Sequence, residues 1–274
     1  DAQGRPGPRF GDPGFVHLAF RRRLGDRRSD EEIRAEGRVE MAAVRARGVF
    51  LAQGHGRAPH DLEPGLAREL DHIYADSKRA IHAELEPAFF AAHPHALVLD
   101  TRSRDREDYI LHPATGERLD DRSVAAVAAL RTRQDGRYDV QLVVSDGLNA
   151  LAVADGRQLD PFLGELTRRL AAAGFAVAPD LIVVRGGRVR AGYEIGRRLL
   201  GGLAGSRSLL HVIGERPGSG HRTFSVYATR QPGGVWGTDG AIDHNLTRVV
   251  AGIASTALEP LRAARDVAEL LERM

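Results

Sequence analysis

Apolar positions along this chain follow two rhythms that change over near residue 96. Before it they recur at helical spacing: Ile33, Val39 and Val44 share one side of a stretch that Ser29 or Asp30 is placed to cap, predicting a helix from Asp30. Leu66, Leu70, Ile73, Tyr74, Ile81 and Leu85 predict a second helix. From Ala96 onward short apolar runs alternate with helical patterns, the signature of a mainly parallel sheet covered by helices. The predicted strands are Ala96 to Leu99, Val140 to Val144, Leu181 to Val184, Leu209 to Ile213 and Phe224 to Ala228. Between them, Ser123 is placed to cap a helix through Val124, Val127, Ala128 and Leu130, and Pro161 to open one that stops at Gly174. From Ala251 a broken apolar stripe interrupted by Pro260 predicts one or two terminal helices. The expected class is α/β, with helices flanking a mainly parallel sheet and a helical N-terminal extension.

Breakers divide the chain. Residues 1–14 are dense in Gly and Pro and read as an extended arm, and GHGRAPHDLEPG (Gly54 to Gly65) separates the two N-terminal helices. The expected organisation is an arm and helix over 1–47, a helical region over 48–95 and the α/β domain over 96–274. The chain starts at Asp1 and not Met, so processing, truncation or excision from a longer polypeptide is expected.

Composition narrows the function classes. The formal net charge is +2 while the pI is about 9.3, because nearly all cations are Arg and Lys78 is the only lysine. A field that draws in nucleic acid needs clustering, which only Arg21 to Arg23 with Arg27 and Arg28 provide, and aromatic residues at 5% leave little for base stacking. No nucleic-acid partner is expected. With no cysteine, disulfides, thiolate metal sites and a cysteine nucleophile are excluded. No apolar run reaches transmembrane length and no signal-peptide core is visible, so a cytoplasmic, non-membrane protein is expected. The histidines show no metal spacing and no GxSxG elbow occurs; neither a metal site nor catalytic residues are assigned to this chain.

In an open α/β sheet the chemistry lies beyond the carboxyl ends of the strands. Three such loops stand out. Ser145 to Asn149 offers an acceptor at Asp146 and close backbone approach at Gly147, or merely a helix cap and turn. Arg185 to Arg190 pairs two glycines with three arginines suited to phosphate or carboxylate, or simply solvated. Gly214 to Gly220 combines glycines, Pro217 and the acceptor Glu215; it is neither a Walker loop nor a dinucleotide fingerprint.

The wording and order of these loops, in DVQLVVSDGLNALAV (Asp139 to Val153), GGRVRAGYEIG (Gly186 to Gly196) and HVIGERPGSG (His211 to Gly220), resemble the small subunit of ethanolamine ammonia-lyase. YILHPATGERL (Tyr109 to Leu119) extends the likeness, which runs from about Val49 to Ala251. The resemblance implies a Rossmann-like domain that helps bind adenosylcobalamin at the boundary with a large subunit, which holds the ethanolamine. It implies a hetero-oligomeric lyase converting ethanolamine to acetaldehyde and ammonia. Cofactor contacts carried over by position fall on Val189, Glu215 and Leu246, where Leu246 stands in place of the family's usual cysteine. Arg188 joins them on charge and position. RFGDPGFV is faintly similar to the large subunit's C-terminal tail, and a fused large–small polypeptide would account for a start without Met. The amphipathic segment that targets some members to a bacterial microcompartment is not seen, which favours the free enzyme. The alternative is a stand-alone cobalamin- or nucleotide-binding module without lyase activity.

Overall fold

The computed structural model describes residues 21, 23–47, 62, 64–218 and 220–274. The chain divides into two compact units, residues 1–61 and 62–274. The arm at 1–14 and RFGDPGFV lie outside the described residues.

In the first unit, α1 (Asp30–Ala46) starts at Ser29. The Ser29 side chain accepts from the Glu32 amide while the Glu32 carboxylate accepts from the Ser29 amide, a reciprocal capping box. The arginine cluster ahead of it is met by local acids: Arg21 bonds Asp30 at 2.8 Å, and Arg28 pairs with Asp26 and Glu36.

The second unit begins with α2 (Pro64–His82) and α3 (Pro87–Ala92), then builds a six-stranded sheet. Its strands are β1 (Leu97–Asp100), β2 (Val140–Ser145), β3 (Ile182–Arg185), β4 (Ser206–Gly214), β5 (Phe224–Pro232) and β6 (Thr247–Ile253), in the order β1-β3-β2-β4-β5-β6. The pairs β1–β3, β3–β2 and β2–β4 are parallel, whereas β4–β5 and β5–β6 are antiparallel. All five predicted strands are present, but the expected mainly parallel sheet is a mixed one. The nine-residue connection after β4 is too short for the crossover that parallel pairing demands, so β5 folds back antiparallel, and β6 then pairs antiparallel with β5.

Helices α4 (Arg106–Leu111), α5 (Asp121–Gln134), α6 (Ala150–Ala154), α7 (Gly156–Ala172), α8 (Val189–Leu200), α9 (Gly233–Gly237) and α10 (Pro260–Glu272) complete the unit. Strand alternation splits the core in two. On one face Leu142, Val144, Leu210, Val212 and Val226 meet α7 and α10 through residues such as Phe162, Leu166 and Val267. On the other, Val143, Ile182, Val184 and Leu209 meet α5 and α8 through Val127, Leu130, Ile195 and Leu199.

Three local expectations are corrected. The cap of α5 is Asp120, whose carboxylate accepts from the Ser123 amide; Ser123 lies inside the helix and its hydroxyl accepts from the Asp100 amide instead. Helix α7 is opened by Asp155 six residues before Pro161, which is accommodated within the helix. The run from Ala251 first finishes β6, and a single helix then starts with Pro260 at its first turn. Gly174, at φ +88°, follows α7 as predicted.

Candidate functional site

Strands β3 and β4 flank β2 on opposite sides, and the chain leaves β2 through α6 and α7 on one face but leaves β3 through α8 on the other. The crevice beyond the carboxyl end of β2 is therefore a topological switch point, where diverging loops leave room for a ligand. All three loops singled out in the sequence meet there.

The Asp146 loop is the hub. Its carboxylate accepts from the amides of Gly186 and Gly187, both at 3.2 Å, and pairs with the Arg106 guanidinium at 3.3 Å. Burial pushes the Asp146 carboxyl up to about 6, against the pull of Arg106 and the backbone donors. On the other side the Leu148 amide donates to the Gly214 carbonyl, and Gly147, at φ +57°, sits so close that a Cβ there would strike that same oxygen.

Beneath the loops, Ser145 Oγ lies 2.6 Å from His211 Nε2, joining β2 to β4 in the interior. Burial pulls the His211 imidazole down to about 4, so the ring is neutral at pH 7; the Val189 backbone offsets this in part. Gly187 rests on Ser145 and Gly192 on His211, each closer than any Cβ would allow. These glycines seat the start of α8 directly on the polar pair.

Val189 opens α8, and Tyr193 follows one turn later. The Tyr193 hydroxyl is 3.1 Å from His244 Nδ1, and the Tyr227 ring lies 6.4 Å from that of His244. The Tyr227 hydroxyl donates to Glu215 over 3.4 Å. Burial, then the Glu215 charge, push the Tyr227 phenol up to about 12, which keeps it a donor. Val189 and Glu215 thus border one surface of two tyrosines and a histidine. Ser225 and Thr229 point to the same side of β5 as Tyr227, and the hydrophobic cluster under α5 and α8 draws nothing from β5 or β6 among the described residues. Ser225 Oγ is buried there with no hydrogen-bond partner.

The other two predicted residues are placed differently. Leu246 follows His244 by two residues but lines a separate groove of about 410 Å³ with Arg230, Arg248 and Arg273. Arg188 turns inward: its guanidinium stacks 4.3 Å from the Tyr109 ring centroid and donates to the Tyr109 carbonyl at 2.8 Å. Tyr193, Tyr227 and His244 were not singled out from sequence. A second cleft of about 340 Å³ takes in Tyr193 with Arg190, Arg197, Trp236 and Asp239, but not Glu215. No group of acidic, histidine or cysteine side chains among the described residues could hold a metal ion, and no described helix is long and apolar enough to cross a membrane.

Residues 44–274 match the family model described as ethanolamine ammonia-lyase light chain (EutC). The chain is 32% identical over 215 residues to the ethanolamine ammonia-lyase small subunit of Ralstonia nicotianae, covering 76% of each protein. It is also 32% identical over 183 residues to that of Pseudomonas fluorescens (strain Pf-5), covering 65% of this chain and 64% of the relative. For Pseudomonas putida (strain GB-1) the identity is 33%, with the same coverage. With a family match over most of its length and a curated relative covered over three quarters, this chain belongs to the ethanolamine ammonia-lyase small-subunit (light-chain) family.

Proposed function

We propose that the chain is the small subunit of an adenosylcobalamin-dependent ethanolamine ammonia-lyase, a Rossmann-like cytoplasmic partner that helps bind the cobalamin at its interface with a large, substrate-holding subunit. Family membership supports the lyase and, through the name small subunit, a larger partner. The observation that carries the cofactor reading is the convergence of Tyr193, Tyr227, His244 and Glu215 at the edge of the polar side of β5 beside α8.

That face fits a corrin. A broad macrocycle rimmed with amide side chains needs a shallow surface that offers contact area together with donors and acceptors. Here Tyr193, Tyr227 and His244 supply amphipathic rings, Glu215 an acceptor at the end of β4, and buried Ser225 Oγ an unsatisfied hydroxyl on the same side. When bound, adenosylcobalamin supplies the radical chemistry through cleavage of its cobalt–carbon bond. The residues of this chain bind and orient it: Val189 borders the face from α8, and Glu215 is held by the Tyr227 hydroxyl. Leu246 reaches the surface only through its backbone neighbour His244.

Co-expression with the large subunit, followed by spectroscopic cobalamin binding and ammonia release with and without this chain, tests the assignment. Full cofactor retention and activity in the large subunit alone would overturn it. Glu215→Ala is expected to weaken cobalamin binding by about ten-fold, the loss of one charge-assisted contact, with the subunits still associated. Unchanged affinity would remove Glu215 from the site.

A further inference from the structure

Asp146 is buried among loops that approach the proposed cofactor face without lying on it. We propose that Asp146, with its ion-pair partner Arg106, is a positioning residue: it fixes the Gly186–Gly187 turn and thereby the start of α8 that carries Val189 and Tyr193 to the cofactor. This rests on the cobalamin reading above and adds to it the source of the site's preorganisation.

The turn is restrained on every polar atom, by different parts of the domain. Its amides both go to the Asp146 carboxylate. The Gly186 carbonyl accepts from Thr101 Oγ1 at 2.9 Å and the Gly187 carbonyl from the Tyr109 hydroxyl at 3.3 Å. The next residue, Arg188, gives its amide to the Gly116 carbonyl at 2.8 Å. Of the groups that hold this turn, Asp146 alone takes both of its amides, and it directly follows β2, the strand at the switch point. Arg106 aims that carboxylate. Its Nη1 reaches Asp146, its Nε donates to the Ile81 carbonyl at 2.7 Å, and its plane lies 4.7 Å from the Tyr109 ring centroid. Both side chains are buried, so each fixes the other where water cannot substitute.

Energetics separate this role from a purely structural one. Burial raises the Asp146 carboxyl to about 6, so its ionisation opposes folding at neutral pH. Replacing a buried ion pair by well-packed hydrophobic groups of similar volume is often neutral or stabilising, so stability alone does not call for charges here. A charge pair retained at that cost is explained by what it orients. The groups facing Asp146 are Arg106 and Tyr109 from α4, Arg185 from β3 with its partner Asp100, and Glu84, which lines the same cavity of about 310 Å³.

The test uses the complex with the large subunit and the double variant Arg106→Gln/Asp146→Asn, which removes both charges together. Cobalamin release, followed by absorbance, is expected to quicken by about ten-fold while the melting temperature holds, the size typical of losing an outer-shell partner. Hydrogen exchange in the Gly186–Val189 segment should rise in parallel. Release at the wild-type rate, or exchange unchanged in that segment, overturns the proposal. Should the double variant fail to assemble, the wild-type complex decides. As pH falls through about 6 the carboxylate takes a proton, so release should quicken and the protection of the segment, corrected for the intrinsic slowing of amide exchange in acid, should fall with it. A flat profile overturns the role of Asp146. A wild-type complex that retains no cobalamin is a different result, for it removes the cofactor reading itself while leaving exchange of the turn to respond to the double variant.

Discussion

At the scale of single residues, two glycines separate conformational cost from steric cost. Gly174 and Gly147 both have positive φ, at +88° and +57°. A Cβ at Gly174 would meet open space, whereas at Gly147 it would strike the Gly214 carbonyl and Ile213. Gly174→Ala should therefore cost about 1 kcal/mol, the left-handed penalty alone. Gly147→Ala should cost more than about 2 kcal/mol, because β2 and β4 must part at the switch point as well. Urea denaturation of both variants measures the difference, and equal costs would mean that the loop yields without moving Gly214. The sequence exposes Asp146, Gly147 and Glu215 because polar and glycine residues directly after apolar runs are conspicuous. It hides Tyr193, Tyr227 and His244. Nothing local marks them, since they converge only once α8, β5 and the segment before β6 share one face of the sheet. Arg188 illustrates the converse, a conspicuous charge whose guanidinium is occupied by Tyr109.

At the scale of elements, capping decides where helices begin. Asp120 caps α5 by accepting from the Ser123 amide at 2.7 Å, with the carboxyl lowered by bonds from that residue. Asp120→Ala should destabilise the fold by about 1 kcal/mol, measurable as a lower urea midpoint with unchanged slope. Little effect would mean that another group satisfies the orphan amide. The sequence makes the helix visible through Val127 and Leu130 and points to Ser123 as its cap, but the Ser123 hydroxyl is taken by the Asp100 amide of another element and Asp120 caps instead. The missed strand β6 has a comparable cause. TRVVAGI is an edge strand with Arg248, Val249 and Ala251 exposed and Ile253 buried, and a register shift opposite Phe224–Val226 breaks the period of two. Its apolar residues therefore match no single template. Strands β2, β3 and β4, buried on both faces, read as continuous apolar runs and are easily found.

At the scale of the whole molecule, two buried groups at the switch point give the fold opposing responses to acid. His211 has an ordinary value of 6.5 that burial lowers to about 4 in the folded protein. Between those values the unfolded chain takes up a proton that the folded chain refuses, so stability falls as pH drops through this window. Asp146 is displaced the other way, from 3.8 to about 6, so over a nearly coincident window the folded chain is the one that binds the proton. Its contribution strengthens the fold on acidification and masks the loss from His211. Removing the imidazole should unmask it. His211→Gln keeps a group able to bond Ser145 Oγ, and whatever packing it loses applies equally at every pH. Measured by urea unfolding, the variant should gain about 2 kcal/mol relative to wild type on going from pH 7 to pH 4.5, the worth of the roughly two pH units between His211's ordinary value and the lower pH. Carboxylates held low by arginine, such as Asp76 beside Arg222, titrate alike in both proteins and cancel from the comparison. A gap between variant and wild type that does not change with pH would mean that the folded protein accepts a proton on His211, and with it that Ser145 and the start of α8 rearrange to admit the charge.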